Sequence, residues 1–543
     1  MEFRHGRNKS VKMRLISAWS ALVVCLFLQP NLYHDLARAA NILGIFPYHC
    51  EAPFLVVRPL VQALLRRGHN VTLITPEGLL PDIEGVRHIR VSKVNQHMQE
   101  MLDSDLIPDF LISKWKESIV ASTIYSHLSN DILSDDAVQR MLHDKCERFD
   151  LIMMEASNLD ALYGLVEYYN ATLMGLISMG VSWFTEELAG NPAPSIYEPI
   201  SHIGYSRENS LTSRLSNWIH ITEEKLLVKL IMLPSQLRLF KKYFGYSDQK
   251  FYELRHRFSV ILVNNHFSMG RVRSNVPNLV EVGGLHLIEP PEPCDIELQR
   301  FMDEAEHGVI YFSMGLDIMV KFLPEDIQQT LITSFTKLKQ RIVWKNEIFK
   351  MPNISDHIYV MERAPQRHVL EHPKVRLFIT NGGLLSVMEA VHSGVPMLGL
   401  PVFFDRFGNL EWAQLAGMGK VLDINSLNAD TLTSTIRLLI ENPNYALRAR
   451  NMSNTFWDRP MSPLDTAVWW TEYVLRNRDV SHLRIKAEEI PLLQYYNIDS
   501  ILTFGFRLVV IAGSAIFLCR SLLQSYSVRR LKESFLYITS LIK

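Results

Sequence analysis

Short, wholly apolar runs alternate with helical patterns from residue 41 onward. Ile42-Leu43-Gly44-Ile45-Phe46 has the length of a strand buried on both faces. A loop from Pro47 to Pro53 follows. Next comes a 3.6-residue pattern carrying Leu60, Leu64 and Leu65, closed by Gly68. Asn70 to Thr75 reads as the second strand, so the segment predicts a βαβ unit and a parallel sheet. Phe149–Met154 and Val260–Val263 read as further strands. A second series opens near Gly308, with strands at Val309–Ser313, Arg341–Trp344, Leu377–Thr380 and Pro396–Leu400. Helices are predicted at Asp326–Leu338 and at about Leu385–His392, the latter stopped by Ser393-Gly394. The proline-rich stretch Glu289-Pro290-Pro291-Glu292-Pro293 reads as the joint between the series. The pattern predicts two doubly wound α/β domains with a cleft at the carboxyl ends of their strands.

The two ends carry a different pattern. Arg4, Arg7, Lys9, Lys12 and Arg14 precede an apolar run from Leu15 to Leu28, and Ala37-Arg38-Ala39 has the form of a cleavage site, so residues 1–40 predict a secretory signal peptide. Residues 501–523 are apolar except for Arg507 and Arg520, each near enough to an end to snorkel. Basic residues then prevail in 524–543, which predicts a cytosolic tail after a single span. Sequons at Asn70, Asn170, Asn353 and Asn451 suit a lumenal body, with Asn70 expected to lie buried in a strand and to go unused.

Composition narrows the picture by exclusion. In 543 residues, 48% are hydrophobic and 21% charged, which excludes wholesale disorder. Lys+Arg (56) nearly balances Asp+Glu (57), so no global basic field for nucleic acid exists. Five cysteines exclude a disulfide scaffold and show no metal-ligand spacing; at most one disulfide is expected.

The candidate chemistry lies in 365–409. A strand running into Asn381-Gly382-Gly383 and then a helix is how a chain presents unpaired N–H groups to an anion. Taken by itself the signal is weak, because Ser386-Val387-Met388-Glu389 also has the spacing of a capping box. The wider wording is specific. Ala364-Pro365-Gln366, the run Leu377 to Ser386, Glu389-Ala390, Ser393-Gly394-Val395-Pro396 and Phe403 to Asn409 resemble the donor-binding signature of the UDP-glycosyltransferases, especially the membrane-bound animal branch. Arg67 to Thr72, Val263 to Ser268, Val276 to Gly284 and Gly308 to Gly315 add to the resemblance, which covers most of 41–520.

The resemblance implies two Rossmann-like domains in the GT-B arrangement plus a C-terminal transmembrane helix. The division it supports is a signal peptide (1–40), an acceptor-binding domain (41–285), a linker (286–293) and a UDP-sugar-binding domain (294–460). Helices packing back on the first domain (461–500), a membrane span (501–523) and a cytosolic tail (524–543) complete it. It further implies a single-pass type I protein of the endoplasmic reticulum membrane, a UDP-sugar as donor substrate, no metal, and a hexose (glucose or glucuronate) passed with inversion to a hydroxyl of a small lipophilic acceptor. Trp183, Phe184 and Trp218 are candidates for lining the acceptor pocket. Oligomers with related transferases are a further implied partner, and nucleic acid is not.

Residue by residue, the donor positions expected are Gly315, Arg363, Gln366, Asn381, Gly382, Gly383, Ser386, Glu389, Asp405, Arg406 and Asn409. Glu389 would take the ribose hydroxyls, Ser386 a phosphate and Asp405 the sugar. The departures cluster at the chemistry. The family's base histidine falls on Pro53, which cannot take a proton, leaving His49 as the nearest imidazole. The carboxylate partner falls on Glu155, with Asp160 as a second candidate. The uracil-stacking aromatic falls on Arg363, the histidine before the glycines on Asn381, the glutamine after Asp405 on Arg406, and a small polar pair on Leu316-Asp317. Three readings stand: an active transferase with a rewired site, a pseudoenzyme that binds UDP-sugar or a lipophilic ligand, and a membrane assembly partner of active relatives.

Overall fold

The computed structural model describes residues 39–48, 50–102, 114–178, 180–191, 210–270, 273, 275–315, 323–346, 355–402, 405–485, 492–495 and 497–542. Outside these lie most of the expected signal peptide, the candidate base His49, the departures Leu316 and Asp317, Phe403-Phe404 and the sequon at Asn353. The described residues up to Arg484 form one compact unit, and those from Ile485 onward form a second.

The first unit is built on two parallel sheets. The amino-terminal sheet holds β1 (Asn41–Ile45), β2 (Asn70–Pro76), β3 (Val86–Val91), β4 (Leu151–Glu155), β5 (Thr172–Ile177), β6 (Phe258–Val263) and β7 (Leu279–Glu281). Its order is β3-β2-β1-β4-β5-β6-β7. The second holds β8 (Val309–Ser313), β9 (Arg341–Lys345), β10 (Ile358–Met361), β11 (Val375–Thr380), β12 (Met397–Gly399) and β13 (Gly419–Val421), in the order β10-β9-β8-β11-β12-β13. In each sheet the strand order reverses once, between β1 and β4 and between β8 and β11. These are the topological switch points where open α/β sheets bind ligands, beyond the carboxyl ends of the strands. Ile45 pairs with Met154 at the first, and Thr380 with Ser313 at the second.

The central strands are buried on both faces, which is why they read as unbroken apolar runs. Helices cover each face and close two cores per sheet. Ala467, Val468 and Val474 of the Pro463–Arg476 helix join the core of the first sheet although they follow the second in sequence. The stretch read as a joint also binds: Glu289 accepts from Arg58 through its carboxylate and from Arg367 through its carbonyl. One residue thus takes an arginine from each half.

Two expectations change. Asn70 opens β2 and is exposed, its amide donating to Asn41 Oδ1 at 3.0 Å, rather than lying buried. Asn170 and Asn451 are exposed as well. The apolar helix is longer than the 501–523 span: it runs from Ile498 to Leu541 without a break, 44 residues, through most of the expected tail. At ~1.5 Å per residue it exceeds the ~30 Å hydrocarbon core about twofold. Among the described residues it is the one helix long and apolar enough to cross a membrane. No disulfide joins the described cysteines Cys50, Cys146, Cys294 and Cys519.

Candidate active site

Each switch point carries a buried glutamate. At the first, Glu155 ends β4. Its Oε1 accepts from the backbone N–H of Ser178 at 3.2 Å and from Ser178 Oγ at 3.3 Å, just past β5. Its Oε2 accepts from the phenol of Tyr48, three residues past β1. Burial pushes the Glu155 carboxyl from 4.5 up to about 7, against the opposing pull of the Tyr48 and Ser178 hydrogen bonds. Burial and the adjacent carboxylate raise the Tyr48 phenol well above its ordinary value. The result is a carboxyl poised near neutrality at the end of β4, held by donors from two neighbouring strand ends.

Pro53 starts the Phe54–Arg66 helix with φ −63°. Proline suits a helix start because its missing N–H would find no intrahelical partner there. The local fold therefore explains why the residue is accommodated, and the ring offers nothing to a proton. Asp160 does not join Glu155. It sits fully buried and takes Arg255 Nε at 2.7 Å, a structural ion pair holding the Asp160–Tyr163 turn to the Asp248–Arg255 helix. That pairing takes up the Asp160 carboxylate among the described contacts. The aromatic candidates also separate: Phe184 is core, Trp183 donates to Glu224 at 2.8 Å, and Trp218 is exposed.

At the second switch point the chain turns at Gly382. Its φ of +88° favours glycine, and a Cβ there would lie 2.4 Å from Leu410 Cγ. Gly383 then opens the Leu384–Ser393 helix with no side-chain cap. The first amides of that helix, with the positive end of its dipole, are left for an anion. Asn381 is consumed locally: Nδ2 donates to the Met314 carbonyl and Oδ1 accepts from Gly383 N–H at 3.2 Å. It braces the turn. Asn409 Nδ2 donates to the Gly382 carbonyl at 3.1 Å and to Asp405 Oδ2 at 2.8 Å, fixing the Arg406–Leu415 helix against the same turn. Arg406 is buried at the start of that helix.

Beside the turn, Gln366 is the organiser. Its Nε2 donates to Ser386 Oγ at 2.9 Å and to the Glu389 carboxylate at 2.5 Å, while its Oε1 accepts from Tyr311 at 3.2 Å. Burial lifts Glu389 from 4.5 to about 7, with Gln366 and Arg367 opposing and Glu371 adding. Gln366, Ser386 and Glu389, each expected among the donor positions, share one hydrogen-bond network. Arg363 instead reaches across the cleft to Glu51 at 2.8 Å.

Three contributors escaped the sequence reading. Tyr48 and Ser178 lie just beyond strand ends, and their link to Glu155 spans 107 and 23 residues. Lys345 ends β9 as a buried residue, and its ammonium donates to the Gly315 carbonyl at 2.7 Å. A charged residue ending an apolar strand was the available signal for Lys345.

Two facing doubly wound domains, with an uncapped glycine turn at the second switch point, define the GT-B class of glycosyltransferase. Solved structures agree on the fold. The calicheamicin glycosyltransferase CalG4 matches with a TM-score of 0.54 at 17% identity, over 81% of this chain and 99% of that one. The spinosyn forosaminyltransferase SpnP matches with 0.54 at 15%, over 80% and 99%. A profile described as "UDP-glucoronosyl and UDP-glucosyl transferase" matches residues 49–533, and the chain belongs to that family. UDP-glycosyltransferase UGT5 of Dactylopius coccus is 31% identical over 498 residues, 90% of this chain and 93% of that relative. UDP-glucosyltransferase 2 of the same organism is 29% identical, over 93% and 97%. Human 2-hydroxyacylsphingosine 1-beta-galactosyltransferase is 28% identical, over 90% and 88%.

Proposed function

We propose that the chain transfers a hexose, glucose or glucuronate, from a UDP-sugar to a hydroxyl of a small lipophilic acceptor, with inversion. The observation that carries this is the uncapped Gly382-Gly383 turn beside the Gln366–Ser386–Glu389 network. Diphosphate takes the open helix amides, and Glu389 takes the ribose hydroxyls. Glu155 replaces the missing imidazole. The acceptor O–H proton passes to the Glu155 carboxylate as the acceptor oxygen bonds C1 of the sugar and the C1–O bond to UDP breaks. A base with a pKa near 7 suits that transfer at neutral pH, and Tyr48 and Ser178 orient it. The apolar Ile498–Leu541 helix anchors the protein, as a single-pass type I protein of the endoplasmic reticulum with a lumenal body.

Calorimetry with UDP, UDP-glucose and UDP-glucuronate, followed by a transfer assay over a panel of phenols and alcohols, tests this reading. Binding with turnover is expected. Absence of UDP binding removes it. A second reading, binding without turnover, is favoured by Pro53 at the base position. Ala52→Ser with Pro53→His discriminates: activity arising in that double variant alone supports the second reading.

A further inference from the structure

Glu155 is the base of the proposed transfer, yet its carboxylate is nearly filled by the protein itself. A carboxylate offers about four lone-pair positions. Oε1 takes both the N–H and the hydroxyl of Ser178, and Oε2 takes the phenol of Tyr48. Tyr48 stands further along the strand direction. It lies three residues past the end of β1, whereas Glu155 is the last residue of β4. Three residues beyond Tyr48, Glu51 meets Arg363 of the other half across the cleft. The chain therefore runs from the phenol straight into the cleft wall. The ring is held in place, stacked on Phe46 at 5.9 Å and edge-on to Phe54 at 5.0 Å. A phenol donates and accepts at once, so one that gives its hydrogen to Glu155 still has lone pairs for another hydroxyl.

We propose that Tyr48 is a catalytic residue that relays the proton from the acceptor hydroxyl to Glu155. The proposal rests on the transfer reading of the site and deepens it. The acceptor O–H proton moves to Tyr48 Oη as the phenolic proton moves to Glu155 Oε2. In the same event the acceptor oxygen bonds C1 of the sugar, and the C1–O bond to UDP breaks with its electron pair leaving on the diphosphate. Tyr48 ends neutral and Glu155 ends protonated. Burial and the Glu155 charge keep the phenol protonated at neutral pH, and a concerted exchange needs no free phenolate. The Ser178 hydroxyl pulls the other way, toward the charged phenol, so negative charge building on that oxygen in passage is partly met.

The test reads the single-turnover rate of the full chain in H2O–D2O mixtures, with UDP-glucose or UDP-glucuronate and the fastest phenol or alcohol of the panel. Two protons in flight are expected to bow the plot of rate against deuterium fraction below a straight line. Tyr48→Phe keeps the ring and is expected to slow the chemical step by about 10²-fold or more, with UDP affinity unchanged in calorimetry and a straight plot for the residual rate. Because the two groups act in series, adding Glu155→Gln to Tyr48→Phe is expected to slow the reaction by less than about threefold beyond the slower single variant. A straight plot for the parent overturns the relay and leaves Glu155 in direct contact with the acceptor. So does a Tyr48→Phe rate within about threefold of the parent. No turnover with any member of the panel overturns the transfer reading and the relay with it. The isotope measurement on the parent needs no variant, so a folding defect in a substituted protein does not blunt the result.

Discussion

Glu155 and Glu389 occupy matching situations in the two halves. Each lies beside a switch point, each is buried, and each is pushed to about 7 by loss of solvent. Their company differs. Glu389 is held by Gln366, whose other contacts run to Ser386 and Tyr311, so it belongs to a network beside the Gly382-Gly383 turn. Glu155 is held by Tyr48 and Ser178 beside a helix that begins with proline where the family's imidazole is expected. Burial alone generates a neutral-pH carboxyl in either half. What it can be used for depends on the donors that surround it.

The sharpest way to break the comparison is Glu155→Gln. Loss of a positioned base lowers kcat by about 10²- to 10⁴-fold, with UDP affinity unchanged in calorimetry. A kcat within twofold of the parent would remove Glu155 from the chemistry. Asp160→Ala should behave in the opposite manner. It leaves the buried Arg255 guanidinium with Glu187, at 3.6 Å, in place of its close Asp160 partner, at a cost of up to about 3–5 kcal/mol, read as a lowered denaturation midpoint. An Asp160→Ala protein that melts normally and has lost turnover would return that residue to the active site.

The shared shift gives a third test, on stability. A carboxyl raised from 4.5 to about 7 binds its proton more tightly when folded. Its contribution is therefore complete below about pH 4.5 and is lost as pH rises to 7, worth about 3 kcal/mol for each glutamate. Glu389→Gln should melt with the parent at pH 4.5 and above it at pH 8. Equal midpoints at both pH values would show that solvent reaches Glu389 in solution. The smallest effect is expected for Arg363→Ala. Its pairing with Glu51 is largely exposed, so unfolding free energy should change by less than about 1 kcal/mol. A larger loss in denaturant titration would mean that the cross-cleft pair is insulated from water.

Legibility in the sequence followed range. The central strands were readable because burial on both faces writes itself as an apolar run, and Val309–Ser313 was placed without error. Edge strands such as β3 and β13 were not, being short or half exposed. The glycine turn and the Gln366, Ser386 and Glu389 positions were visible through wording shared with a family. The ion pair of Asp160 was not legible, because its partner Arg255 stands 95 residues away. Tyr48 carries no signal in the sequence, because histidine is the residue type that ordinarily does this work.

Glu289 gives the two halves a common pivot. A rotation of one half against the other that keeps Arg58 on its carboxylate and Arg367 on its carbonyl moves little near that residue. Displacement then grows with distance from it, so a nucleotide drawing the lobes together would be felt at Glu289 as a twist and at the cleft mouth as travel.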